Sequence, residues 1–181
     1  MRQISIHARA GQGAITIASL LGTAAFLEGK QALAFPHFGA ARMGAPMDSF
    51  VRISEQEIRI RSQIYEPNYI LVVDDTLLRG YNFFQNMIPG GASFINLSEQ
   101  GYLPEAEGIS VYCIPADDIA ENLFGKRMGN TALLGAFSAG TGEVSLDSLQ
   151  KAIDKKFDGK IADVNKKAIE EGYNYFKKKY T

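Results

Sequence analysis

The sequence predicts an α/β fold, a doubly wound and mostly parallel sheet with an antiparallel edge hairpin. Three observations carry this expectation. Apolar strand-like segments begin near Ile4, Tyr69, Ala92 and Ile109 and alternate with helix-like segments, the order expected of β–α units. The segment 69–73 is apolar throughout, as in a parallel strand buried on both faces. Residues 48–53 and 58–61 each alternate polar with apolar around the turn-like 54–57, the signature of an antiparallel hairpin.

The first strand covers 3–8, where polar and apolar residues alternate. A turn of small residues follows, Ala8-Arg9-Ala10-Gly11-Gln12-Gly13-Ala14. Beyond it Ile17, Leu20, Leu21, Ala24 and Leu27 fall mostly on one face of a helix. Gly11 and Gly13 lack a Cβ, so the chain can turn tightly there and approach a ligand closely. Free N–H groups at the helix start attract anions. The pattern alone leaves two readings open, a bare turn and an anion site. It is not a P-loop, because no Gly-Lys-Ser/Thr closes it, and Thr16 stands where a dinucleotide fingerprint has its third glycine.

A second strand is expected over 30–35. The loop from Pro36 to Met47 sets His37, Phe38 and Arg42 among small residues and suits a surface closed over by a partner or ligand. His7 and His37 have no evident metal-ligand companions, and neither is expected to bind metal. The strand at 69 ends in Asp74 and Asp75. Capping of the next helical turn is the favoured role there, over acid–base work by a carboxylate pair. Strands are then expected at 92–96 and 109–114, and a short helix at 117–123. The segment 125–131 holds Lys126, Arg127 and Asn130 and opens a helix over 132–139. Asn130 reads as its N-cap, with the two cations beside an end that could hold an anion. Two amphipathic helices close the chain, over 146–157 and 161–176. The lysines at 177–179 suit the dipole of the last helix.

Composition narrows the function. A chain of 181 residues with 46% hydrophobic and 22% charged residues is expected to form a single domain, 1–181, with a substantial core. A net charge of −1 provides no general attraction for nucleic acid. No stretch suits a membrane span and no signal peptide is visible, so the expected location is the cytoplasm. The single cysteine, Cys113, cannot build an iron–sulfur or multi-thiolate zinc site and reads as an inert core thiol. No catalytic residues and no metal ligands are expected in this chain.

Four blocks occur in order: Ala8 to Ala14; Ala34-Phe35-Pro36-His37-Phe38-Gly39; Arg42-Met43-Gly44-Ala45-Pro46; and Arg61-Ser62-Gln63-Ile64-Tyr65-Glu66-Pro67. Together they resemble the gamma subunit of 2-oxoacid:ferredoxin oxidoreductases, the pyruvate type more than the 2-oxoglutarate type. The likeness runs from Ile4 to about Phe176. It implies a Rossmann-like domain within a hetero-oligomer that turns a 2-oxoacid, coenzyme A and oxidised ferredoxin into acyl-CoA, CO₂ and reduced ferredoxin. Thiamine diphosphate and [4Fe–4S] clusters would lie on alpha, beta and delta-type partner subunits, with ferredoxin or flavodoxin as acceptor. No cofactor would be bound by this chain alone. The chain would close over the active site and contact coenzyme A in the complex. The cofactor-binding positions the likeness implies are Gly11, Gln12, Gly13, Arg42 and Asn130, with Arg9 and Arg127 as further candidates. Many relatives read Glu-Arg-Arg-Gly-Ala-Pro where this chain has Ala41 to Pro46. A purely structural assembly subunit and a free-standing nucleotide-binding protein are the rival readings. Against the latter, no acidic residue between Gln31 and Phe35 is available to hold a ribose.

Overall fold

A computed structural model describes residues 1–37, 42–97 and 102–181. Phe38, Gly39 and Ala41 of the blocks above lie outside the described residues. Six strands form one sheet: β1 (Arg2–Arg9), β2 (Gln31–His37), β3 (Pro46–Ser54), β4 (Tyr69–Val72), β5 (Ala92–Asn96) and β6 (Ser110–Ile114). Their order is β2-β3-β1-β4-β5-β6. β1, β4, β5 and β6 pair in parallel, and β3 runs antiparallel to both of its neighbours.

The pleat sorts side chains between two layers. Ile4, Ile6, Ala8, Val51, Ile53, Leu71, Phe94 and Ile114 face the helices α1 (Ala14–Leu27), α2 (Ala116–Phe124), α3 (Asn130–Thr141), α4 (Leu146–Lys156) and α5 (Gly159–Tyr180). Ile70, Val72 and Ile95 face the other way, onto Leu78, Phe84 and Met87. That second layer is a 3₁₀ turn (Asp75–Arg79) and the irregular aromatic run after it. There Phe83 lies flat on His7, with ring centroids 3.9 Å apart, and His7 Nδ1 sits 2.7 Å from Asp48 Oδ1. Cys113 points into this layer, and burial pushes its thiol pKa up, as suits an inert thiol.

α3 is the central helix, buried along nearly its whole length. It crosses α5 where Gly135 meets the backbone of Ile169 and Gly172 meets that of Ala132. α3 begins two residues before the sequence expectation. Its N-cap is Gly129, not Asn130, and a Cβ at Gly129 would overlap the Ala116 backbone.

The hairpin is corrected in its members. β3 pairs with β2, which takes in Pro36 and His37 from the expected loop as β3 takes in Pro46 and Met47, and residues 58–61 form no strand. The reason is Arg52, which is 1% exposed on β3. Its guanidinium donates to the carbonyls of Ser62 (2.8 Å), Gln63 (3.2 Å) and Ile60 (3.4 Å), and to Gln3 Oε1 (3.2 Å). The segment therefore passes over the sheet with carbonyls turned to a buried cation instead of to a neighbouring strand. Among the described residues no carboxylate pairs with this guanidinium, and burial lowers its pKa from the ordinary value. Arg52→Lys keeps the charge and loses the planar fork. It is expected to cost about 2 kcal/mol in urea unfolding and to speed amide exchange across 58–63. An unchanged midpoint and unchanged exchange would contradict this account.

Candidate functional site

β1 leads through α1 to β2 on one side, while β4 lies on its other side. The C-terminal ends of β1 and β4 therefore flank the crevice in which open α/β sheets take ligands. The glycine turn occupies it. Gly11 (φ 102°) and Gly13 (φ 81°) are both left-handed, and Gly13 is the N-cap of α1, with no side chain capping the helix.

Gln12 does not project outward from the turn. Its Oε1 accepts from the Arg9 main-chain N–H (2.7 Å), and its Nε2 donates to Asp74 Oδ2 (2.6 Å). Asp74 caps the 3₁₀ turn as expected, accepting from Thr76 N at 3.1 Å and from the Thr76 hydroxyl. Burial works to raise the Asp74 pKa. The hydrogen bonds from Thr76 and Gln12, with the Arg9 charge, outweigh it and hold the carboxyl below its ordinary value. Arg9 is likewise occupied. It donates to Thr76 Oγ1 (2.9 Å) and to the Gly44 carbonyl (3.1 Å), and its Nε lies 3.4 Å from Asp74 Oδ2.

The segment carrying Arg42 is fastened to the turn. Gly44 N donates to Ala10 O (3.1 Å), and Ala10 N donates to Ala45 O (2.9 Å). Met43, 87% exposed, rests its sulfur over Gly11, where a Cβ would come within 2.7 Å. Arg42 is exposed, and its side chain makes no ion pair with a described residue.

Asn130 comes to the same place from α3. Its Nδ2 lies 2.1 Å from where a Cβ on Gly13 would stand, and its Oδ1 accepts from Thr131 N (2.9 Å). Thr131 Oγ1 beside it is buried without a partner among the described residues. The N-terminal ends of α1 and α3 thus meet at Gly13 and Asn130; no side chain caps α1, while on α3 the Gly129 N–H donates to Asp117 Oδ1 (2.8 Å) and the Thr131 N–H to Asn130. Arg127 is engaged elsewhere. Its guanidinium holds Asp118 and Glu121, each at 2.9 Å, and these bonds raise its pKa. It would have to release both carboxylates to reach an anion.

The structure therefore brings together Arg9, Gly11, Gln12, Gly13, Arg42 and Asn130, and holds Arg127 against α2. Sequence reasoning missed Thr76 and Met43 as members of the site, and it missed the bond from Asp74 to Gln12. Among the described residues no group of three His, Cys, Asp or Glu side chains is placed to hold a metal.

Comparison with known proteins identifies the chain. The sequence signature of the family described as "Pyruvate ferredoxin/flavodoxin oxidoreductase" matches residues 3–175. Pyruvate synthase subunit PorC of Methanocaldococcus jannaschii is 44% identical over 99% of both chains. The chain belongs to the pyruvate ferredoxin/flavodoxin oxidoreductase family. It is a gamma subunit of a 2-oxoacid:ferredoxin oxidoreductase, and the other subunits of that enzyme are its partners. The crystal structure of pyruvate oxidoreductase subunit PORC from Thermotoga maritima superposes with a TM-score of 0.82 at 32% identity, covering 96% of this chain and 95% of that one. The same fold forms part of a longer chain in the 2-oxoglutarate:ferredoxin oxidoreductase of Magnetococcus marinus. That match has a TM-score of 0.83 at 20% identity and covers 98% of the gamma subunit and 31% of the longer chain. Among the described residues of the gamma subunit, no helix is long and apolar enough to cross a membrane.

Proposed function

We propose that this gamma subunit closes over the active site of the assembled enzyme and helps to position coenzyme A. The reaction is formation of acyl-CoA, CO₂ and reduced ferredoxin from a 2-oxoacid, with pyruvate as the substrate. Thiamine diphosphate and the [4Fe–4S] clusters belong to the alpha, beta and delta-type partners; for the clusters the reason is that one half-buried cysteine cannot hold one. Ferredoxin or flavodoxin accepts the electrons through those partners. The isolated gamma subunit is inactive, and the enzyme works in the cytoplasm. The solved structure of the Magnetococcus marinus oxidoreductase that shares the fold has coenzyme A bound, a likeness of fold that fits this reading.

One observation carries the proposal. Arg42 is an exposed cation without an ion-pair partner among the described residues, on a segment bonded to a glycine turn where two helix N-termini meet. The uncapped start of α1 presents N–H groups to phosphate, and a guanidinium can pair a phosphate bidentately. The contacting groups are Arg42, Asn130 and the main chain of Gly11 and Gly13.

Arg42→Ala in the assembled enzyme is expected to weaken the response to coenzyme A on the order of ten- to a hundredfold, the loss of one charge-assisted bond. Decarboxylation of the 2-oxoacid needs no coenzyme phosphate and should keep its rate. Arg42→Lys should recover part of the affinity. Titration of both variants with coenzyme A decides the matter. Equal coenzyme dependence in wild type and Arg42→Ala would favour a purely structural subunit.

A further inference from the structure

We infer that Asp74 is a positioning residue for the coenzyme response of this subunit, acting through Gln12, Arg9 and Thr76 on the segment that carries Arg42. The inference rests on the coenzyme reading above and adds a residue which does not itself face the ligand. Asp74 stands just past the end of β4, and its side chain is only 12% exposed. From there it reaches three chain segments. Gln12 Nε2 ties it to the glycine turn at 2.6 Å. Arg9, 3.4 Å away, ties it to the end of β1. The hydroxyl of Thr76, which donates to Asp74, also accepts from Arg9 Nη2 at 2.9 Å. Arg9 Nη1 then holds the Gly44 carbonyl at 3.1 Å, two residues beyond Arg42.

The donor pattern admits a carboxylate at this position and not an amide. One Asp74 oxygen faces the Gln12 NH₂, and the other faces the N–H and hydroxyl of Thr76. All of these are donors, so each orientation of an asparagine would set its own NH₂ against one of them. Rotating Gln12 to compensate would turn its NH₂ toward the Arg9 main-chain N–H, which it now accepts from. Asp74→Asn therefore breaks the chain of contacts at Gln12 or at Thr76. In either case the Arg9 clamp on Gly44 loses its fixed anchor. The glycine turn and the Arg42 segment then no longer share one frame, and Arg42 must be ordered at the moment of binding.

The test uses the assembled oxidoreductase with pyruvate, and reads KM for coenzyme A, kcat and the melting temperature. Asp74→Asn is expected to raise the coenzyme KM about tenfold while kcat at saturating coenzyme falls less than about twofold. Thr76→Val, at an exposed position that folding tolerates, should raise the same KM about threefold. Placed in the Arg42→Ala background, Asp74→Asn should add less than about twofold, because both changes remove the same contact. A lower melting temperature with coenzyme KM unchanged in Asp74→Asn and Thr76→Val would overturn the inference. So would full additivity in the double variant. If Arg42→Ala raises KM and Asp74→Asn does not, the positioning role alone fails. If neither raises it, the coenzyme reading fails with it.

Discussion

Gly172→Ala is expected to destabilise the gamma subunit by about 3 kcal/mol, opposite in sign to the roughly 1 kcal/mol gain that alanine brings to an open helix position. The cause is the crossing of α3 and α5. A Cβ at Gly172 would lie 1.9 Å from the Ala132 carbonyl oxygen, where ordinary contact begins at 3.4 Å. The obstacle is backbone, so no side chain can rotate away. Gly135 makes the reciprocal approach, its Cβ position lying 1.9 Å from the Ile169 carbonyl oxygen. The two helices must therefore separate along the crossing, and α3 carries the largest share of the buried helical layer. In a chain of this size the loss corresponds to a melting temperature lower by about 6–12 °C. Gly135→Ala should behave alike, whereas Lys167→Ala, exposed on α5, should change stability by less than about 0.5 kcal/mol. Thermal unfolding of the purified subunit reads all three. A neutral or stabilising Gly172→Ala would mean that the helices do not approach this closely.

How far these features could be read in the sequence depends on the range of the interaction. The strand, turn and helix from β1 to α1 were legible because hydrophobic spacing changes from a period of two to one near 3.6 across Gly11 and Gly13. The cap by Asp74 was legible because it joins residues two apart. The bond from Asp74 to Gln12 spans 62 positions and exists only because the sheet places β4 beside β1. Nothing near Gln12 announces it. Alternation in 48–53 gave a strand, but it says nothing about neighbours or about burial on both faces, where Ser49 and Arg52 are as buried as Val51 and Ile53. The place of β3 between β2 and β1 was therefore hidden. Ile58 and Ile60 alternate as well as any strand does. What overrides that pattern is a single buried arginine whose hydrogen-bonding demand is met by the carbonyls of Ile60, Ser62 and Gln63 and by Gln3 Oε1. Arg127 looked like a cation for the α3 end because it is close to Asn130 in sequence. The carboxylates at 118 and 121 recur one turn apart on α2, and they take it instead.

The other large effect is expected at Gly13. Gly13→Ala should cost about 2–5 kcal/mol and should weaken the coenzyme response of the assembled enzyme as well. Two separate penalties are involved. Gly13 sits at φ 81°, ψ 21°, where a Cβ crowds its own carbonyl by about 1–2 kcal/mol. The new methyl would also stand 2.1 Å from Asn130 Nδ2. Asn130 must then swing away, and Thr131 N, whose bond to Asn130 Oδ1 is buried, loses its acceptor. A buried N–H left unpaired costs about 1–3 kcal/mol. The two penalties can be told apart, because only the second depends on residue 130. In an Asn130→Ala background the methyl meets less obstruction, so Gly13→Ala should cost only about 1–2 kcal/mol there. Asn130→Ala alone should lower stability by about 1 kcal/mol, through the lost bond to Thr131 N. A double-mutant cycle in urea, with coenzyme titration of the same four proteins, measures both quantities. Full additivity in stability would place Asn130 away from Gly13. A positive coupling in stability and in coenzyme affinity would mean that the glycine turn and the start of α3 act as one unit at the ligand.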